Sequence, residues 1–258
     1  MKKINFDFPV TERTYKVIEE RTLKLYIFEP EANLENRPAI LFFNGGSFKQ
    51  NPKTPTQFQH QADYFSSIGM VAICVDYRNG SDVAFLPTQS INDVRSAVKY
   101  VRRNSADLGI NPNKIVVCGS SAGGYITVSS IMLGYQNDEK RSKETIPNYL
   151  IVLAADMDGV DIMRRRYPQL LDRAKELSPI HHVKKCLPPT LWISGTGDDL
   201  YEQNKDFIRQ MNVAGNEITL KTYEGMEHGF FNFGRHENKY YHLTKLEIEN
   251  YLKMKQVI

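Results

Sequence analysis

No stretch of this sequence is apolar for the roughly 20 residues that a bilayer crossing requires, so a membrane-spanning helix is excluded. An apolar leader is missing as well. The N-terminal Met1-Lys2-Lys3-Ile4-Asn5-Phe6-Asp7-Phe8-Pro9 carries charge with no hydrophobic segment behind it, which makes a cytoplasmic setting the expectation. A periplasmic or secreted setting stays open if a leader has been removed. Cysteine is scarce: three residues cannot all pair, and Cys74 and Cys118 sit inside apolar runs, where a thiol acts as a small hydrophobe. No disulfide framework is implied. Charge of one sign is not in excess either, since 33 Lys and Arg against 30 Asp and Glu leave +3. That balance gives no footing for nucleic acid. The basic runs Arg164-Arg165-Arg166 and Lys184-Lys185 read as solvated faces. Repeats and linkers are absent too, so residues 1–258 are expected to form one domain able to bury a large core.

What is present is an alternation of apolar runs and helical stripes. Tyr15–Glu19 and Leu23–Phe28 read as an antiparallel pair of strands; Pro38–Phe43, Val71–Val75, Ile115–Cys118, Leu150–Leu153, Leu191–Ser194 and Ile218–Thr222 read as further strands. Between them lie helical patterns: Phe58, Ala62, Phe65 and Ile68 closed by Gly69; Ile91, Val94, Val98 and Val101 opened by Pro87; Phe207 to Met211; and a last helix through Leu243, Ile248, Tyr251 and Leu252. The polar stretch from Gly134 to Pro147 reads as a surface loop. Residues 158–179 have helical pattern with many charges, a candidate small cap. Strands alternating with helices predict an α/β fold with a mainly parallel sheet covered on both faces, which binds ligands at the carboxyl ends of its strands.

Four unusual loops fall at those ends. Ile115-Val116-Val117-Cys118 runs into Gly119-Ser120-Ser121-Ala122-Gly123-Gly124 and then the apolar Tyr125-Ile126-Thr127-Val128, the pattern of a nucleophile elbow. Its central residue is Ser121, and the positions two before and two after it, Gly119 and Gly123, lack bulk. Asn44-Gly45-Gly46-Ser47 ends the strand before it; backbone amides of Gly45 and Gly46, with that of Ala122, are candidates to stabilise an oxyanion. Near the C-terminus, Gly195-Thr196-Gly197-Asp198-Asp199 and Tyr223-Glu224-Gly225-Met226-Glu227-His228-Gly229-Phe230 follow successive strands. A serine nucleophile needs a base and the base a carboxylate. His228 is the candidate base, and Asp198, Asp199, Asp156 and Asp158 are rivals for the acid. His181 and His182 have no metal-ligand spacing, and His60, His236 and His242 fall on helices or charged surface.

These motifs, with Asp76-Tyr77-Arg78, resemble the α/β-hydrolase superfamily, and within it the hormone-sensitive-lipase-like and the acetylxylan/feruloyl-esterase-like (BD-FAE-like) carboxylesterases. The resemblance runs from about Leu23 to the end. It implies an eight-stranded-type α/β-hydrolase sheet and a Ser121, Asp198, His228 triad, with Asp198 preferred because it matches the family's Gly-Thr-x-Asp pattern. Asn44 stands where the family usually has His and Ser47 where it has a third Gly. The implied activity is hydrolysis of short acyl esters through an acyl-enzyme, on a carbohydrate or similar polar alcohol. No cofactor, metal, nucleic acid or membrane partner is called for. Phe48, Tyr77 and Phe230, with Phe231, flank the motifs and are expected to line the substrate site. A serine peptidase of the same fold and a catalytically silent binding protein are the alternative readings.

Overall fold

The computed structural model describes residues 4–31, 35–49, 54–134 and 143–258. Eight strands form one sheet: β1 (Thr11–Ile18), β2 (Arg21–Phe28), β3 (Arg37–Phe43), β4 (Val71–Val75), β5 (Ile110–Ser120), β6 (Tyr149–Leu153), β7 (Thr190–Gly195) and β8 (Ile218–Tyr223). Their spatial order is β1-β2-β4-β3-β5-β6-β7-β8. β1 and β2 are antiparallel and β2 meets β4 antiparallel, while every pair from β4 to β8 is parallel. This is the α/β-hydrolase fold.

The period of two along each strand divides the core. Ala39, Leu41 and Phe43 of β3, with Ile115 and Val117 of β5, face one apolar cluster; Ile40, Phe42, Val116 and Cys118 face the other. Helices α2 (Pro87–Arg103), α3 (Ala122–Met132) and α5 (Tyr201–Val213) cover the first face, and α1 (Gln59–Ser67) and α6 (Lys239–Met254) the second. Burial on both sides is why the central strands read as unbroken apolar runs. The edge is different. β1 begins at Thr11, ahead of the expected Tyr15, because its ladder with β2 reaches back to the Thr11–Ile27 pair; its first four residues are exposed and leave no apolar pattern to read. β5 likewise starts at Ile110, where a short pairing with Arg37 precedes a register shift.

Segment 158–179 folds as α4 (Gly159–Arg166) followed by a 3-10 stretch, Pro168–Leu177. Asp158 caps α4 by accepting from the Val160 and Asp161 amides. Ile162, Met163, Ala174 and Leu177 are buried beneath it. Two tyrosines tie the segment down: Tyr125 Oη donates to the Leu177 carbonyl, and Tyr167 Oη to the Phe48 carbonyl. The expected loop after Gly134 lies mostly outside the described residues; its described end, 143–145, is helical. Among the described residues no helix is long and apolar enough to cross a membrane.

Topology fixes where chemistry can happen. From β3 the chain order runs to β4 on one side and to β5 on the other, so a crevice opens at their carboxyl ends. Phe43 pairs with Gly119 there, which sets the Asn44 loop beside the elbow, and Gly195 pairs with Tyr223, which sets the Asp198 loop beside the His228 loop.

Candidate active site

Ser121 sits between β5 and α3 with φ 52° and ψ −121°, a backbone state that costs a non-glycine residue on the order of 1–3 kcal/mol. The turn is held by its surroundings. The Ser121 amide donates to the Leu153 carbonyl at 2.9 Å and the Tyr125 amide to the Ser121 carbonyl at 3.0 Å. Tightness explains the glycines: a Cβ on Gly119 would stand 2.5 Å from the Gly123 carbonyl oxygen, and one on Gly123 would stand 2.1 Å from that of Phe43. Ser120 is fully buried and points away, its Oγ receiving a hydrogen bond from Gln57.

Ser121 Oγ lies 3.0 Å from His228 Nε2, and His228 Nδ1 lies 2.8 Å from Asp198 Oδ2. Because a carboxylate only accepts, the imidazole proton belongs on Nδ1, and Nε2 presents its lone pair to the serine hydroxyl. Asp198 is buried and its other oxygen accepts from the Leu200 amide at 3.0 Å, which holds the carboxylate still. The rival acids are placed otherwise. Asp199 is exposed, Asp158 caps α4, and Asp156 bonds the Asp158 amide and Arg165. Burial pushes the Asp156 carboxyl above its ordinary range, against the Asp158 amide and the Arg165 charge.

The oxyanion loop requires a correction. Gly45, expected to offer its amide to substrate, instead donates to Gln57 Oε1 at 2.8 Å. Among the described residues the amides of Gly46 and Ser47 make no hydrogen bond, and Ala122 opens α3, where an amide has no intrahelical partner. The chain turns through positive φ at Gly46 (142°), Ser47 (53°) and Phe48 (56°). Asn44 braces the loop through Nδ2 to the Gly45 carbonyl at 2.7 Å, and Tyr77 Oη donates to the Asn44 carbonyl at 2.6 Å. Ser47 was hidden from sequence reasoning because the partner that removes Gly45 lies 12 residues on.

A cavity of about 250 Å³ opens over Ser121 and His228, lined by Ser47, Phe48, Ala122, Tyr125, Asp156, Ile162, Arg165, Arg166, Asp198, Asp199 and Leu200. Of the aromatics expected there, only Phe48 is present. Tyr77 is buried with its hydroxyl spent on Asn44, and Phe230 is fully enclosed among Tyr223, Phe231 and Tyr240; both belong to the core, as does Phe231. Tyr125, Ile162 and the two arginines were missed. The apolar stripe after the elbow gave Tyr125 no mark to set it apart from core, and the arginine run looked like surface until α4 was seen to lie over the crevice.

A sheet with this crossover, and a serine, histidine and aspartate meeting at its carboxyl edge, define the class: an α/β hydrolase. Residues 25–157, more than half of the chain, match the BD-FAE family, and residues 134–232 match a family described as alpha/beta hydrolase fold. The chain belongs to the BD-FAE family. Esterase 2 of Thermogutta terrifontis is similar over 96% of both chains, at 32% identity and a TM-score of 0.87. Carboxylesterase NlhH of Mycobacterium tuberculosis is 24% identical over 84% of this chain and 76% of its own. An acetylxylan esterase of Xylanibacter ruminicola is 26% identical over 93% of this chain, which spans 50% of that relative's length. The protein is a hydrolase acting on carboxylic ester bonds.

Proposed function

We propose that the chain is a serine carboxylesterase that removes acetyl or another very short acyl group from a carbohydrate or similar polar alcohol. Residues 1–258 act as one catalytic domain with 158–179 as its cap. The observation that carries the reading is the hydrogen-bonded line Ser121 Oγ, His228 Nε2, His228 Nδ1, Asp198 Oδ2 at 3.0 and 2.8 Å. In this mechanism His228 takes the hydroxyl proton as Ser121 attacks the ester carbonyl, and Asp198 stabilises the resulting imidazolium. The tetrahedral oxyanion rests on the amides of Gly46, Ser47 and Ala122. His228 then delivers its proton to the departing alcohol, and water repeats the sequence on the acyl-enzyme.

Size supports the short acyl group. Phe48, Tyr125 and Ile162 supply the apolar lining of a cavity of only about 250 Å³, and the cap is anchored by both tyrosine hydroxyls rather than raised over a long tunnel. Its polar lining, Arg165, Arg166 and Asp199, suits a hydroxyl-rich alcohol. With Tyr77 and Phe230 in the core, hydrogen bonding to these groups replaces ring stacking as the recognition of such an alcohol. Structures of the Thermogutta esterase with propionate and with butyrate bound, and the acetylxylan esterase relative, are in keeping with this choice. Steady-state kinetics on p-nitrophenyl esters from acetyl to decanoyl, alongside acetylated sugars, test it. The expectation is a kcat/KM that falls beyond butyryl, because each further methylene exchanges ~1–3 kcal/mol of apolar binding for a clash. A maximum at octanoyl or longer, or no acetate released from any acetylated sugar, overturns the substrate assignment.

A further inference from the structure

We infer that Gln57 is a positioning residue that locks the oxyanion loop and the histidine loop to one another behind the elbow. The inference rests on the catalytic reading above and adds a residue to it. Gln57 stands in the 3-10 turn Pro55–Phe58 ahead of α1, and its side chain joins three loops that are far apart in sequence. The Gly45 amide donates to its Oε1 at 2.8 Å. Its Nε2 donates to Asn232 Oδ1 at 2.7 Å and to Ser120 Oγ at 3.2 Å. Asn232 Nδ2 in turn donates to the Gly229 carbonyl at 2.6 Å, one residue after His228.

This chain of bonds has one direction only. Its first member is a backbone N–H, which can only donate, and its last a backbone carbonyl, which can only accept. Flipping either side-chain amide would set donor against donor at one end and acceptor against acceptor at the other. Asn232 and Ser120 are buried, so a broken link finds little water to replace it. The geometric consequence is at both ends. Holding the Gly45 amide on the Ser120 side leaves the next two amides, of Gly46 and Ser47, without partners among the described residues and beside the cavity that Ser47 lines. Tying Asn232 to Gly229, where the Asn232 amide also donates to the same carbonyl at 3.2 Å, closes the turn that carries His228.

Displacing a reacting group by about 1 Å can cost ~10²-fold in rate, and Gln57 governs the spacing of two such groups. Gln57→Met, which keeps length and loses all three bonds, should lower kcat on p-nitrophenyl acetate by ~10²-fold with KM nearly unchanged. Gln57→Glu separates the two functions: its carboxylate still accepts from Gly45 and cannot donate to Asn232 until protonated. The ratio of its kcat to that of the unaltered protein should therefore rise as the pH is lowered from 8 to 5, a readout that a packing role would not move. Gln57→Met combined with Asn232→Leu should lose no more than the worse single variant, since both break one chain. An unchanged kcat in folded Gln57→Met, or a flat pH ratio together with additive losses, overturns the inference. Should Gln57→Met fail to fold, the pH ratio of Gln57→Glu decides alone. Ser121→Ala is measured beside them: retained turnover there sinks the catalytic reading itself, whereas a dead Ser121→Ala with a normal Gln57→Met sinks only the role of Gln57.

Discussion

Substituting Gly123→Ala tests whether the elbow depends on missing bulk. The added Cβ would lie 2.1 Å from the Phe43 carbonyl oxygen, 2.6 Å from that of Asn44 and 2.8 Å from the Phe43 carbonyl carbon, all inside the 3.0 Å below which Cβ contacts are essentially not seen. None of these atoms is a side-chain tip that could swing away. They are the backbone of β3 at the point where it becomes the oxyanion loop, flanked by strands on both sides. Overpacking of this kind costs ~1–3 kcal/mol, and contact with backbone puts the change at the upper end. About 3 kcal/mol in a chain of this size lowers Tm by roughly 6–12 °C. The same shift moves the Gly46 and Ser47 amides, and losing one oxyanion donor costs ~10²–10³-fold in kcat. Gly45→Ala is the control. Its Cβ would meet Ser121 Cβ at 3.1 Å and the Ser120 carbonyl oxygen at 3.3 Å, contacts that a shift of a few tenths of an ångström relieves. Thermal unfolding and p-nitrophenyl acetate turnover should rank Gly123→Ala far below Gly45→Ala. Equal Tm and kcat for the two would refute the account of the elbow.

Paraoxon should phosphorylate the protein once, and intact mass spectrometry should find no adduct on Ser121→Ala and a full one on Ser120→Ala; a label surviving in Ser121→Ala would move the nucleophile. Asp198→Asn should lower kcat by ~10³–10⁴-fold by leaving His228 without its acceptor, while the exposed Asp199→Asn stays within about tenfold; comparable losses in the two would reassign the acid. The raised Asp156 carboxyl gives a prediction in pH. Its folded state holds the proton more tightly than the unfolded chain, whose value is 3.8, so ionisation lowers stability as the pH rises through and above that value. Asp156→Asn, fixed in the neutral state, should therefore gain in Tm relative to the unaltered protein between pH 3.5 and 7; a difference that shrinks over this interval contradicts the direction of the shift.

Much of this molecule was legible in one dimension because its constraints are local. Buried parallel strands must be apolar throughout, so β3 to β7 stand out as runs, and a turn that admits no Cβ must carry glycine at 119 and 123 around Ser121. Chain order alone then pairs the elbow with loops after later strands. Other features depended on which residues meet across the fold. Gly45 looked like an oxyanion donor until the Gln57 carbonyl, 12 residues away, was found to hold its amide, and nothing in the local sequence distinguishes it from Gly46. Phe230 and Tyr77 adjoin site motifs, yet a side chain beside a catalytic residue in sequence points the opposite way as readily as the same way; these two turned inward. Arg165 and Arg166 carry the signature of surface, and only the docking of α4 over the crevice brings them to the cavity. Hydrophobic pattern and backbone sterics act over a few residues and are written in the chain, whereas the destination of a polar side chain is decided by partners that tertiary structure alone delivers.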